Sequence, residues 1–166
     1  MAVLVEVLVA LVLTSGAFQA GGGIPARYTC DGADVSPALA WTGMPAGTVA
    51  FALIVDDPDA PGGTWVHWVL FNLPGNVGAL PEAVPASDAP RGLGGALQGR
   101  NDFRKVGYGG PCPPSGPAHH YFFRLYALDA RLPLRSGAGR ADVERAMRGH
   151  VLAETALLGT YARRGR

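Results

Sequence analysis

The chain has 166 residues and a mass of 17.2 kDa, a length that predicts one domain spanning 1–166. Fourteen Lys and Arg against thirteen Asp and Glu leave a formal charge of +1, which excludes the basic footprint of a nucleic-acid or anionic-membrane binder. Hydrophobic residues make up 48% and charged residues 16%, enough to bury a core and too apolar for disorder, while 24 Gly and 14 Pro exclude a helical bundle.

Residues 1–13 are apolar and precede the small-x-small triplet Ser15-Gly-Ala17, yet they lack a basic leader segment and carry Glu6. They are also shorter than the roughly 20 apolar residues of a membrane-spanning helix. The expectation is therefore an extra N-terminal strand over residues 1–12 and a cytoplasmic protein, with export as the alternative if the segment is a signal. Val3, Val5, Val7 and Val9 alternate along this strand. An unpaired apolar strand is a liability, so it is expected to pair within the sheet or across a homodimer.

Residues 21–34 form a long connection. Residues 48–55 (TVAFALIV) then read as a strand, closed by the stiff Asp57-Pro-Asp-Ala-Pro61 turn, whose X–Pro bonds are candidates for the cis form. Residues 65–73 (WVHWVLFNL) read as another strand. After a second long connection at 83–117, residues 119–128 (HHYFFRLYAL) read as a third. One helix is predicted, over 141–157, with Val143, Ala146 and Met147 on one face and a Glu144–Arg148 pair. This order predicts a mainly β fold: a two-sheet antiparallel sandwich with a C-terminal helix packed on its edge. Connections as long as the two loops are usually functional.

Side chains alternate along a strand, so parity sorts the polar residues. It puts His67 with Trp65, Val69 and Phe71, and His119 with Tyr121, Phe123 and Leu125, and turns His120 the other way. Alone, either histidine reads as a core residue bonded to a backbone carbonyl. Beside the stiff Asp57–Pro61 loop, two imidazoles and a phenol read instead as donors for an anion. Gly107–Gly110 offer backbone N–H groups, and Asp57 can orient a histidine or meet an ammonium. No Lys or Arg belongs to this set, so its charge depends on histidine. Trp41 and Trp65 read as packing residues. Arg27 and Asp31 read as charges that order the first loop.

Pro25-Ala-Arg-Tyr-Thr-Cys-Asp-Gly32, Ser36-Pro37, Trp41, Asp57-Pro-Asp-Ala-Pro61, Trp65-Val-His-Trp68 with Asn72, Gly107-Tyr-Gly-Gly-Pro-Cys-Pro-Pro114 and His119-His-Tyr121 occur in that order. Together they resemble the phosphatidylethanolamine-binding protein family, in particular its bacterial and archaeal Raf kinase inhibitor-like branch. The likeness runs from about Leu13 to about Tyr161. It implies a β-sandwich that begins near Leu13–Ser15, and a small anion pocket at one end lined by Asp57, His67, His119, Tyr121 and Pro114, with Asp59 at the rim. It implies a ligand of the phosphorylated or carboxylated class, such as a phospholipid headgroup, and no cofactor. In relatives it also implies inhibition of protein kinases or serine proteases, an alternative use of the same surface. The family often has Arg where this chain has His120.

Asp57, His67 and His119 have the composition of a two-His, one-carboxylate metal site, though not its helical spacing. A hydrolase lacks a Gly-x-Ser-x-Gly elbow. Cys30 and Cys112 allow a thiol nucleophile, structural thiols or one disulfide; the resemblance favours the structural roles, because it puts both loops near the pocket.

Overall fold

A computed structural model describes residues 9–164. Its elements are β1 (Val12–Thr14), β2 (Leu39–Thr42), β3 (Ala50–Asp57), β4 (Trp65–Pro74), β5 (Ala79–Leu80), β6 (Leu97–Gln98), β7 (His119–Leu128), α1 (Arg140–Met147) and β8 (Val151–Tyr161). One sheet has the order β1-β2-β5 and the other β6-β4-β3-β7-β8, with every named pairing antiparallel. The expected two-sheet sandwich is therefore the fold. Leu13, Trp41 and Leu80 of the small sheet share one core with Phe51, Leu53, Trp68, Leu70 and Phe123 of the large one. The opposite face of the large sheet is also buried, with Ala52, Ile54, Val69 and Phe71 packing against Leu132, Val143 and Met147. Burial on both faces explains why residues 48–55 and 65–73 are nearly continuous in apolar residues rather than alternating.

Two expectations at the C-terminus are corrected. The helix ends at Met147 instead of running to 157, and Gly149 at φ +79° turns the chain back in a conformation that favours glycine. Residues Val151–Tyr161 form an eleven-residue strand paired along all of β7, from Leu128↔Val151 to His119↔Tyr161. The free edge of β7 supplies a ladder that local periodicity cannot see, and Val, Leu and Thr suit it. The helix also lies across the face of the large sheet, not its edge. Val143 and Met147 do form its buried side, but its i,i+4 ion pair is Arg140–Glu144 at 2.6 Å rather than Glu144–Arg148.

At the N-terminus, residues 1–8 and with them most of the alternating valines lie outside the described residues. Strand structure is seen only at Val12–Thr14, which matches the strand start that the resemblance implied. Leu11 and Leu13 are core residues, so a cut after Ala17 would remove part of the core. No helix among the described residues is long and apolar enough to cross a membrane.

The end of β3 carries two buried carboxylates in succession, one on each side of the sheet. Asp56 faces the helix side and is fully buried. Arg124 of β7 holds it through Nε at 2.8 Å and Nη2 at 3.0 Å, and Arg140 of α1 reaches it through Nη1 at 2.8 Å. This cluster ties the helix to the sheet. Removing both arginines strands a buried charge, so Arg124→Met with Arg140→Met is expected to cost about 3–5 kcal/mol in urea unfolding. Each single change should cost less than half of that, since the remaining arginine still compensates Asp56. A loss below about 1 kcal/mol for the double variant would contradict this account.

Candidate ligand pocket

The pocket lies where three neighbouring strands reach one end of the large sheet. β3 is central, so its C-terminal Asp57 sits between the N-terminal residues of the antiparallel strands β4 and β7. Strand parity alone misplaces His67. The register skips it, pairing Val55 with Trp68 and Asp56 with Val66. This bulge lets His67 and Trp68 both turn to the inner core, while Val69 and Phe71 face the helix side. His67 thereby meets the Tyr121 ring edge-on at 5.3 Å instead of sharing a face with Val69 and Phe71.

A cavity of about 220 Å³ opens here, with Asp57, His67, His119 and Pro114 in its lining. His119 Nδ1–H donates to Asp57 Oδ2 at 2.7 Å. Asp57 Oδ1 accepts the Asp59 backbone N–H at 2.8 Å, an Asx turn that fixes the carboxylate from its own loop. Asp57–Pro58 and Ala60–Pro61, the cis candidates, are both trans. His67 donates from Nδ1 to the Gly109 carbonyl at 2.7 Å, and Gly109 N–H returns a bond to the His67 carbonyl at 2.9 Å. A carbonyl can only accept, so Nδ1 carries the proton of the neutral ring. Burial is the largest influence on His67 and lowers its pKa below 6.5 against the opposing bond to Gly109. Both rings are thus tethered through Nδ1, which leaves Nε2 as the polar atom each can offer the cavity.

The 107–114 loop forms the opposite wall and is latched along its length. Tyr108 donates its hydroxyl to the Tyr28 carbonyl at 2.7 Å, Gly110 N–H donates to Asp34 at 2.7 Å, and Cys30 N–H donates to the Pro111 carbonyl at 3.1 Å. Cys30 and Cys112 are joined in a disulfide, which settles the cysteine alternatives and leaves no thiol to act as a nucleophile. Side chains would not fit two of the glycines: a Cβ on Gly109 would lie 2.6 Å from the Phe103 ring, and one on Gly110 would lie 2.3 Å from the Tyr28 carbonyl oxygen. The expectation that Gly107–Gly110 aim N–H groups at an anion is corrected. The N–H groups of Gly107, Gly109 and Gly110 bond to Gly99, His67 and Asp34 respectively.

Two further expectations change. Asp59 does not line the cavity; exposed His120 captures it, through Nδ1 at 2.6 Å and its backbone N–H at 2.9 Å. His120 does point away from the pocket, as parity predicts. Tyr121 is 1% exposed and packs behind His67 rather than in the lining. Its buried hydroxyl has no hydrogen-bond partner among the described residues, and burial, then Asp57 and Asp59, raise its pKa. Trp41 is a core residue, but Trp65 is 38% exposed and stands in the pocket wall against Phe103, so packing was the wrong role for it. Phe103 itself was missed; its only sequence signal is a lone aromatic in the polar run Arg100–Lys105. Arg27 and Asp31 do order the first loop, through Glu82 and through Tyr161 and Arg163. No group of three or more His, Cys, Asp or Glu able to hold a metal occurs among the described residues.

Comparison with known proteins agrees with this fold and its motifs. A family model described as phosphatidylethanolamine-binding protein matches residues 14–162. A UPF0098 protein of Methanothermobacter thermautotrophicus is 54% identical over 151 residues, covering 91% of this chain and 98% of that one. One from Aquifex aeolicus is 48% identical, covering 90% and 86%. Among solved structures, E. coli YbcL, a member of the mammalian PEBP family, superposes with a TM-score of 0.87 at 35% identity, covering 94% of this chain and all of that one. A homologue of phosphatidylethanolamine-binding protein from Chlamydia trachomatis gives 0.84 at 38%, covering 93% and 99%. With the sandwich, the Asp-Pro-Asp turn and the two strand histidines in register, this chain belongs to the phosphatidylethanolamine-binding protein family.

Proposed function

We propose that the protein is a non-enzymatic binding protein whose Asp57–His67–His119 pocket takes a small phosphorylated or carboxylated ligand. The observation that carries this reading is the shared tethering of two imidazoles through Nδ1 in the lining of one small cavity, which leaves Nε2 as the ring nitrogen each has available for a ligand. Neutral His67 can accept a hydrogen bond from a protonated ligand oxygen. His119 can donate from Nε2 when it is the imidazolium, with the Asp57 carboxylate 2.7 Å away to balance the charge. The wall residues Pro61, Trp65, Phe103, Pro113 and Pro114 are apolar and strengthen these few polar contacts by excluding water. A binding role is favoured over hydrolysis because Cys112, the thiol candidate in the lining, is already oxidised. A phospholipid headgroup meets the same requirements as free phosphate.

The test is calorimetric titration with phosphate and with phosphorylethanolamine. No Lys or Arg lines the cavity, so protonating histidine or ligand is what makes binding favourable, and affinity should rise as pH falls from about 8 to about 6. His119→Ala and His67→Ala should each weaken binding about tenfold or more, the loss expected for a charge-assisted hydrogen bond. A flat profile from about pH 8 to about 5.5, or unchanged affinity in both variants, would contradict the proposal.

The His67 environment also contributes to the pH response of the fold. Because the folded ring titrates below 6.5, the unfolded chain binds the proton more readily. Stability therefore falls as pH drops below about 6.5, down to the folded value. Urea unfolding between about pH 7 and about pH 5 should show a shallower slope in His67→Gln than in the wild type; equal slopes would show that His67 is not the group responsible.

A further inference from the structure

Behind the hairpin of residues 101–105 lies a second cavity, of about 350 Å³, which the pocket described above does not use. The two cavities share this wall. Trp65, His67 and Phe103 line the first, whereas Val66, Asp102 and Arg104 line the second, together with Arg100 and Arg140. We infer that the second cavity is an oxyanion site that takes a phosphate group, either free or as a phosphomonoester. This inference does not rest on the role proposed for the first pocket.

Three arginines, Arg100, Arg104 and Arg140, line this one space, and they differ in how far their charges are already satisfied. Arg140 is held by Asp56 at 2.8 Å and Glu144 at 2.6 Å, so it is fixed in place but has its charge shared. Arg100 and Arg104 have no carboxylate within 4.0 Å among the described residues. The carboxylate in the lining, Asp102, is committed to the backbone, accepting the Val66 N–H at 2.7 Å. It keeps its negative charge but ion-pairs with neither Arg100 nor Arg104, so against the two guanidinium groups it leaves a net positive charge in the lining.

The hairpin that carries Arg104 is closely determined. Asn101 N–H donates to the Lys105 carbonyl at 2.8 Å, Asn101 Oδ1 accepts the Lys105 N–H at 3.2 Å, and Asn101 Nδ2 donates to the Gly107 carbonyl at 2.9 Å. These bonds hold Arg104 at φ +63°, in the left-handed region that a non-glycine residue adopts only under constraint. Arg100 is fixed at its backbone through the Ala138 carbonyl at 3.2 Å. Guanidinium forks match tetrahedral phosphate oxygens through paired N–H···O bonds. With a net chain charge of only +1, long-range attraction contributes little, so recognition here depends on local geometry.

The test is an NMR titration of the full ¹⁵N-labelled chain with inorganic phosphate and, separately, with glycerol phosphate, at constant ionic strength. It reads the Arg Nε–Hε groups and the amides of Val66, Asp102 and Arg140. Saturable shifts at these groups are expected in the wild type and equally in His119→Ala, which disables the first pocket. Arg100→Gln with Arg104→Gln should weaken them about tenfold or more without altering the His119 ring signals relative to the wild type. Tighter binding of the ester than of the free ion would assign the site to phosphomonoesters, and the reverse to inorganic phosphate. The inference is overturned if the shifts grow linearly without saturation, persist unchanged in the double arginine variant, or vanish in His119→Ala, because they would then report the first pocket.

Discussion

Two consecutive carboxylates, Asp56 and Asp57, are buried at the end of the central strand β3, and the organisation of the functional end of the molecule depends on satisfying both. Strand geometry sends neighbouring side chains to opposite faces, so one strand end places a charge on each side of the large sheet. β7 answers both: Arg124 binds Asp56 on the helix side, and His119 binds Asp57 on the inner side. A buried carboxylate without such a partner would cost several kcal/mol. The register between β3 and β7 is thus coupled to the chemistry of the pocket, and a shift of one residue would exchange the two faces.

The second constraint is the bulge at His67. A regular strand would have turned the imidazole to the helix side, into the cluster around Val69 and Phe71. The extra residue brings it to the inner side, where Gly109 closes a reciprocal pair of hydrogen bonds with it. The latch extends through Gly110, Pro111 and the Cys30–Cys112 disulfide, so the Pro113–Pro114 wall is held both by β4 and by the first long loop. Much of the Gly and Pro content reads in this light. Gly109 and Gly110 allow close approach of chain to chain, and the prolines stiffen the walls of one cavity.

Much of this was legible in the sequence, for physical reasons that differ from residue to residue. β3, β4 and β7 are long apolar runs bounded by turn residues, and local composition identifies them. The Asp-Pro-Asp turn announces a fixed carboxylate, and Asp57, His67, His119 and Pro114 do meet at one cavity. The predicted helix extends to 157, over the first part of β8, because that strand's character comes from the β7 edge, a tertiary partner. β2, β5 and β6 have only two to four residues, too few to show a period. The His67 bulge leaves no mark in the residue pattern, and the pairing of Asp59 with His120 spans 61 positions, beyond the reach of local pattern.

The pocket depends on His119 being held through Nδ1 by Asp57, with Nε2 free for the ligand. Nitrogen NMR of ¹⁵N-histidine-labelled protein measures this directly, because protonated and unprotonated ring nitrogens resonate far apart. Near neutral pH, Nδ1 is expected to be protonated on both His67 and His119, with a phosphate-induced change confined to Nε2 of each ring. A His119 ring protonated at Nε2 and bare at Nδ1, or a phosphate response at neither Nε2, would contradict this expectation.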